Sequence, residues 1–259
     1  MSGRLIDTHC HLDLEPLLSG LPRHLHEASE AGVQQFIVPG VHPDGWAGIA
    51  KLAAANSSIL PAYGIHPMHA ECMTAHVLGT LRERAAGAVA IGEIGIDPAY
   101  PVSMWQQEQA LREQIRIAVN CGLPLLIHCR RAFQRILTVL HEERAGQVGG
   151  IMHAYSGSAE MAQEFIRLGF ALSLSGTLTW NNAVRPLRVV RNVALEHLVL
   201  ETDAPDMTPQ KYRGSFNRPA WLKETAQRTA ELKGVPLSEV ARITTDNVRR
   251  ILRLENCPA

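Results

Sequence analysis

The sequence predicts a (β/α)₈ TIM barrel, read as one domain over residues 1–259. Three observations carry that expectation: eight short apolar runs bounded by turn residues, helix-period segments between them, and a length of 259 residues, close to the roughly 250 that eight strand–helix units occupy. In order, the runs are Leu5–Ile6, Phe36–Val38, Leu60–Tyr63, Val89–Ile91, Leu125–Ile127, Ile151–Met152, Ala171–Leu174 and Leu198–Leu200. All are too brief for helices, and they do not alternate strictly between apolar and polar, as expected of parallel strands buried on both faces. Between them, Met104–Asn120 and Ala132–Glu143 repeat apolar residues at three- and four-residue intervals, and Gly32, Gly87, Gly122 and Gly169 stand where helices should stop. Pro236–Leu252 reads as a further helix packing on the outside. A doubly wound open sheet is the structural competitor, but the chain has neither a GxGxxG loop after its first strand nor a Walker A motif.

Composition narrows the function classes. With 46% hydrophobic and 19% charged residues the chain can bury a substantial core, which excludes a disordered or collagen-like polypeptide. Twenty-five basic residues balance twenty-five acidic ones, so nothing global favours adhesion to duplex DNA or anionic membranes, and any phosphate recognition must be local. Five scattered cysteines (Cys10, Cys72, Cys121, Cys129, Cys257) without CxxC spacing favour a reduced, cytoplasmic interior. No targeting signal or membrane span is read. Twelve histidines are roughly twice the ordinary share, and histidine is the commonest metal ligand.

The histidines and carboxylates of interest stand at or just after the C-terminal ends of predicted strands, where a barrel assembles its site. His9 and His11 end the first strand as His-Cys-His, a period that points both side chains to one face. Glu93, His128, His153 and Asp203 follow later strands at steps of 84, 35, 25 and 50 residues from His9, or roughly three, one, one and two strand–helix units. Six such groups at one rim would be costly to desolvate and mutually repulsive without cations, so the reading is a pair of divalent ions. One ion takes His9, His11 and Asp203, the other His128 and His153, and Glu93 bridges them. Two such ions activate water and clamp a phosphate or carbonyl oxygen, which points to hydrolysis. Asp203 is the expected general base and Glu93 the second catalytic group, with Glu201 modulating Asp203 and counted among the substrate contacts.

Asp7-Thr8-His9-Cys10-His11, Gly64-Ile65-His66-Pro67, Gly92-Glu93-Ile94-Gly95-Ile96-Asp97, Leu123-Pro124 running to His128, His153-Ala154-Tyr155-Ser156-Gly157 and Glu201-Thr202-Asp203-Ala204-Pro205 together resemble the TatD family of metal-dependent hydrolases and deoxyribonucleases. The resemblance spans the whole chain. It implies a (β/α)₈ barrel with two divalent ions (zinc, manganese, magnesium or nickel), phosphodiester cleavage of the 3′–5′ exonuclease kind on DNA, and the same six ligands that the spacing selects. It adds His66 and Asp97, near the ends of the third and fourth strands, as substrate or outer contacts. Two departures stand out: Arg131 where relatives often carry an acid, and Asn217-Arg218-Pro219 where they often carry Asn-Glu-Pro.

Further contacts are read from charge and aromaticity. Arg130 could fork onto a phosphate; Arg218, with Lys211 and Arg213, forms a cationic loop beside the eighth strand; Tyr155 and Trp180 could stack on a base, although packing around the mouth is the preferred reading. Cys10 and Cys129 are expected to be buried structural thiols, and His24, His26, His42, His69, His76, His141 and His197 surface residues. The partner expected is a nucleic acid or other phosphoester, with no membrane and no obligate protein partner. A competing class, amidohydrolases, usually bridges its metals with a lysine after the fourth strand, and none of Lys51, Lys211, Lys223 and Lys233 lies at a strand end. Carboxylic esters such as an aminoacyl-tRNA link, and a metal-binding protein without turnover, remain open alternatives.

Overall fold

The computed structural model describes residues 4–254, in which eight parallel strands each pair with the next in chain order. They are β1 (Leu5–Asp7), β2 (Val33–Pro39), β3 (Ile59–Tyr63), β4 (Ala90–Ile96), β5 (Leu125–Cys129), β6 (Gly150–Met152), β7 (Phe170–Leu174) and β8 (Leu198–Leu200). Backbone bonds just beyond the first and last strands bring the sheet back on itself. Thr8 N–H donates to Leu200 O (3.0 Å), Asp203 N–H to His9 O (2.8 Å) and His11 N–H to Ala204 O (2.9 Å). The architecture is a TIM barrel, as expected. After the strands, in turn, come α1 (Leu21–Glu30), α2 (Trp46–Ala55), α3 (Ala75–Ala85), α4 (Met104–Cys121), α5 (Phe133–Glu142), α6 (Ala159–Arg167), α7 (Arg185–Asn192) and α8 (Leu222–Lys233). Gly32, Gly122 and Gly169 take φ of 92°, 69° and 83° just after α1, α4 and α6, a region that favours a residue without Cβ. Gly87, after α3, does not adopt that conformation.

Two separate apolar layers follow from the pleat. Phe36, Trp46, Phe165 and Phe170 belong to the layer that packs helices against the barrel wall. A second layer takes residues from every strand: Ile6, Ile37, Leu60, Ala62, Ala90, Leu126, Ile151, Ala171 and Val199. Val248, Ile251 and Leu252 of a ninth helix, α9 (Leu237–Leu252), join this second layer. Thr245 donates to Arg4 O (2.7 Å) and Asn247 to Leu198 O (2.8 Å), at the starts of β1 and β8. The helix expected to pack outside therefore covers the N-terminal end of the barrel. Its apolar side chains contribute up to about 1.5–3 kcal/mol each by leaving water, and they leave the opposite end free for chemistry.

Small residues set the approach of β4 to β5. A Cβ on Gly95 would lie 1.9 Å from His128 O, and one on Gly92 would lie 2.5 Å from Leu126 Cβ. Any larger residue would push β5, and His128 with it, away from Glu93. Among the described residues no helix is long and apolar enough to cross a membrane.

Candidate metal centre

β1 ends at Asp7, before the His9-Cys10-His11 segment expected to close it, yet the chain runs on with Cys10 bridging Ala204. The period of two survives, so His9 and His11 reach the same interior. Glu93 and His128 lie within β4 and β5 rather than beyond them, because both strands run longer than their apolar runs. His153 follows β6 directly, and Asp203 follows β8 by three residues with φ at 56°, a left-handed conformation that Asp tolerates better than most.

All six side chains meet. Glu93 is buried at the centre, and its two oxygens face different neighbours. Oε2 is 3.2 Å from His9 Nε2; Oε1 is 2.8 Å from His128 Nδ1, 3.6 Å from His66 Nε2 and 3.7 Å from His153 Nε2. Asp203 Oδ1 lies 3.6 Å from His11 Nε2, 3.8 Å from His9 Nε2 and 3.7 Å from His153 Nε2. Ligands about 2.1 Å from a tetrahedral ion sit about 3.4 Å from one another, so most of these separations suit donors around a cation better than hydrogen bonds. Neither ring nitrogen of His9, nor Nδ1 of His11, has a hydrogen-bond partner although all are buried. Orphaned imidazole nitrogens are costly in a dry interior, and a divalent cation would satisfy them. Three groupings bring donor atoms within 4.8 Å: His9, His11 and Glu93; His9, His153 and Glu201; His66, Glu93 and His128.

The electrostatics divide the imidazoles. Burial would raise the Glu93 carboxyl, but His9, His66 and His153 together with the His128 bond hold it well below the usual range. Burial would lower His153, yet Glu201, Asp203 and Glu93 bring it up to about 10. His128, between Asp97 Oδ2 (3.2 Å) and Glu93, is likewise raised against its burial to about 9. His66 falls to about 4, chiefly by burial. Its Nδ1 accepts from Met68 N–H (3.2 Å), which leaves an Nε2 proton directed at the site.

Outer contacts sort differently from expectation. Asp97 lines the cavity and bonds His128; His66 and Arg130 also line it. Glu201, read as a substrate contact and modulator of Asp203, is wholly buried: Oε1 accepts from Ala154 N–H (2.7 Å) and Oε2 stands 3.1 Å from His153 Nδ1, so it touches a histidine rather than substrate. Tyr155 is 3% exposed, packs on Phe133 and Phe165 and donates to Ser158 O (2.8 Å), so it belongs to the core and not to a stacking surface. Arg218 pairs with Glu27 (3.5 Å) and lies over Phe216 and Trp221, outside the cavity lining. Trp180 does line the cavity, donating to Thr208 O (2.8 Å). His24, expected at the surface, is 2% exposed beneath Phe216, and His42, His69 and His197 are half-buried. Cys10 and Cys129 are buried thiols whose pKa values burial pushes up, Cys129 to about 12, as suits structural roles; Cys257 lies outside the described residues.

Several supports escaped the sequence reading. Asp7 accepts from Thr202 N–H (2.9 Å) and hydroxyl (2.6 Å), tying the turn that carries Asp203 to the strand that carries His9. Burial raises its carboxyl to about 7. Gln107 and Gln114 of α4 hold the backbone of Asp97 and Ile65 (Asp97 N–H to Gln107 Oε1, 2.8 Å; Ile65 N–H to Gln114 Oε1, 2.6 Å). Their signal was there to be read: two amides seven residues apart on the apolar stripe of one helix, where a polar group needs a partner. A second hollow of about 650 Å³, lined by Ala50, Ala53, Tyr63 and Arg84 among others, lies on the outer wall by α2 and α3, with none of these six groups in its lining.

Comparison with known proteins agrees with this geometry. The model of the TatD related DNase family matches residues 6–253. The uncharacterized metal-dependent hydrolase YabD of Bacillus subtilis is 37% identical over 253 residues, covering 96% of this chain and 99% of that protein. YjjV of Escherichia coli K12, a TatD homologue, is 32% identical, and its crystal structure superposes with a TM-score of 0.92 over 97% of this chain and 98% of the other. A TatD family hydrolase from Entamoeba histolytica, at 18% identity and a TM-score of 0.87, shares the fold over 97% of this chain and 98% of its own. With a family match across nearly the whole length and a barrel whose mouth gathers these histidines and carboxylates, the chain belongs to the TatD family of metal-dependent hydrolases.

Proposed function

We propose that this protein hydrolyses phosphodiester bonds of nucleic acid, in the manner of a 3′–5′ deoxyribonuclease, using two divalent ions held by His9, His11, Glu93, His128, His153 and Asp203. The observation that carries the reading is the placing of Glu93: Oε2 lies 3.2 Å from His9 and Oε1 2.8 Å from His128, so one carboxylate would serve donors on both sides, with His153 3.7 Å from both Glu93 and Asp203. His11 and Asp203 complete the first set. Zinc, manganese, magnesium and nickel all suit imidazole–carboxylate sites. When bound, such ions lower the pKa of water and stabilise charge on the phosphoryl oxygens.

The chain's own groups then divide the remaining work. Asp203, kept ionised against its burial by His153, His11 and His9, accepts the proton of the attacking water. The water oxygen bonds to phosphorus, the ester P–O bond breaks with its electron pair going to the leaving oxygen, and that oxygen takes up the proton Asp203 had accepted, releasing an alcohol and a phosphomonoester. Arg130 and the Nε2 proton of His66, both at the cavity surface, orient the non-bridging oxygens. Asp97 and Glu201 hold His128 and His153 in place from behind.

The test is chelation followed by readdition of zinc, manganese, magnesium or nickel, monitored on a chromogenic phosphodiester and on end-labelled DNA. Activity should vanish and return, and Glu93→Gln should abolish it with the fold intact by circular dichroism. No turnover of either substrate with any ion would refute the reading.

A further inference from the structure

Among the described residues, every large hydrophobic side chain left exposed stands between the C-terminal end of a strand and the first turn of the helix that follows. Leu14 and Leu18 follow β1, Met68 follows β3, Met104 and Trp105 open α4, and Val184 immediately precedes α7. Singly scattered apolar residues on a surface need no explanation, but a collection confined to the face that carries a site does. Three of them, Leu14 (43% exposed), Met68 (36%) and Val184 (56%), line the cavity that contains Glu93 and Asp203, and Trp180 stands in the same wall.

Fixed positive charge is scarce in the same place. Arg130 is the one Lys or Arg in the lining, against the carboxylates of Asp97 and Asp206 outside the proposed ligand set. Of the cations in the loop after β8, Lys211 pairs with Glu224 (2.9 Å) and Arg218 with Glu27 (3.5 Å), while Arg213 stacks 4.5 Å from the ring centre of the wall residue Trp180 without itself lining the cavity. A protein that tracks a single strand needs a basic groove along successive phosphates. The cavity here holds about 690 Å³, the size of a small-molecule site.

Building on the phosphodiesterase reading, we propose that among nucleic-acid phosphodiesters this site prefers a short one, of dinucleotide size, with one reacting phosphate and an aromatic or apolar group seated against Met68, Trp180 and Val184. The bond change is the hydrolysis already described: one ester bond is exchanged for a bond to water oxygen, and the nucleoside leaves as an alcohol. Specificity then comes from apolar contact beside the reacting phosphate rather than from charge along a chain.

The experiment compares dithymidine monophosphate with a long oligothymidylate on the metal-loaded enzyme, measuring kcat/KM per cleavable end across a salt series. In parallel, the anisotropy of a labelled phosphorothioate oligothymidylate reads strand binding on the same protein. The proposal expects the dinucleotide to be cleaved at least as efficiently as the strand, and a log–log salt slope near that of a single phosphate, about −0.7. It also expects Val184→Asp to raise KM for the dinucleotide several-fold with little change in kcat. A strand preferred by about tenfold or more, or binding with a slope steeper than about −2, would show several phosphates engaged and overturn the proposal while leaving phosphodiester hydrolysis intact. Inactivity on both substrates with every ion would overturn the phosphodiesterase reading itself, and this inference with it.

Discussion

Replacing Glu201 by Gln tests the link between burial, tautomer and metal affinity. Glu201 is wholly enclosed; one oxygen accepts from Ala154 N–H and the other stands 3.1 Å from His153 Nδ1. A carboxylate there holds a proton on Nδ1, so the proton that an incoming ion displaces is the one on Nε2, facing Glu93 and Asp203. The Glu201→Gln side chain keeps the shape and must still give its oxygen to Ala154, so its amide NH₂ faces Nδ1 as a donor. Nδ1 can only accept from that group, so the form that ligates through Nε2 and carries its proton on Nδ1 loses its acceptor and meets a donor instead. Removing a carboxylate partner of a ligating histidine typically costs 10–100-fold in metal affinity or activity, or about 1.4–2.8 kcal/mol. The effect should read out as a 10–100-fold weaker zinc affinity in competition titrations, partial recovery of kcat at saturating metal, and little change in melting temperature of the chelated protein. Unchanged zinc affinity would refute both the positioning role of Glu201 and the assignment of His153 as a ligand.

Two further outcomes follow from the packing. Gly95→Ala, whose Cβ would sit 1.9 Å from His128 O, should destabilise by at least about 1–3 kcal/mol and lower the melting temperature by several degrees; an unshifted melting curve would mean that β4 and β5 separate without strain. Asp7 tests the clamp on the Asp203 turn through pH. Its carboxyl, at 3.8 when unburied, is raised to about 7 in the fold, so the contribution of the protonated form is complete below about pH 4 and is lost as pH rises toward about 7. Asp7→Asn, which mimics the neutral acid, should gain on wild type across that window by up to about 4 kcal/mol, at 1.36 kcal/mol per pH unit. Denaturation of the two chelated proteins from pH 4 to 8 measures the difference, and parallel stability curves would contradict it.

The six groups of the candidate site were legible before any coordinates because a barrel obliges each strand to end at one rim, so a histidine or carboxylate after an apolar run acquires an address. His9 and His11 held to that logic even though β1 stops at Asp7, since the extended chain continues through Cys10. What failed was whatever depended on the identity of a distant neighbour. Arg218 looks like a phosphate contact until Glu27 of α1 occupies it, whereas Tyr155 takes the packing role preferred for it, against Phe133 and Phe165.

The apolar stripe of Leu237–Leu252 shows the same division. Its periodicity announces a helix with one buried face, but not whether that face meets the barrel's outer wall or closes the barrel's end, which Val248 and Ile251 do. Taken by itself, the order of residues determined the number and sequence of strands, the rim that carries the chemistry and the donor types found there, because local hydrophobic period and strand-end position are properties of neighbouring residues. Only the tertiary structure decided that Glu201 stands behind His153, that Arg218 pairs with Glu27, and that exposed apolar side chains gather at one mouth. Those are distances between segments tens to hundreds of residues apart, set by how the strands close around one another, and no periodicity along the chain contains them.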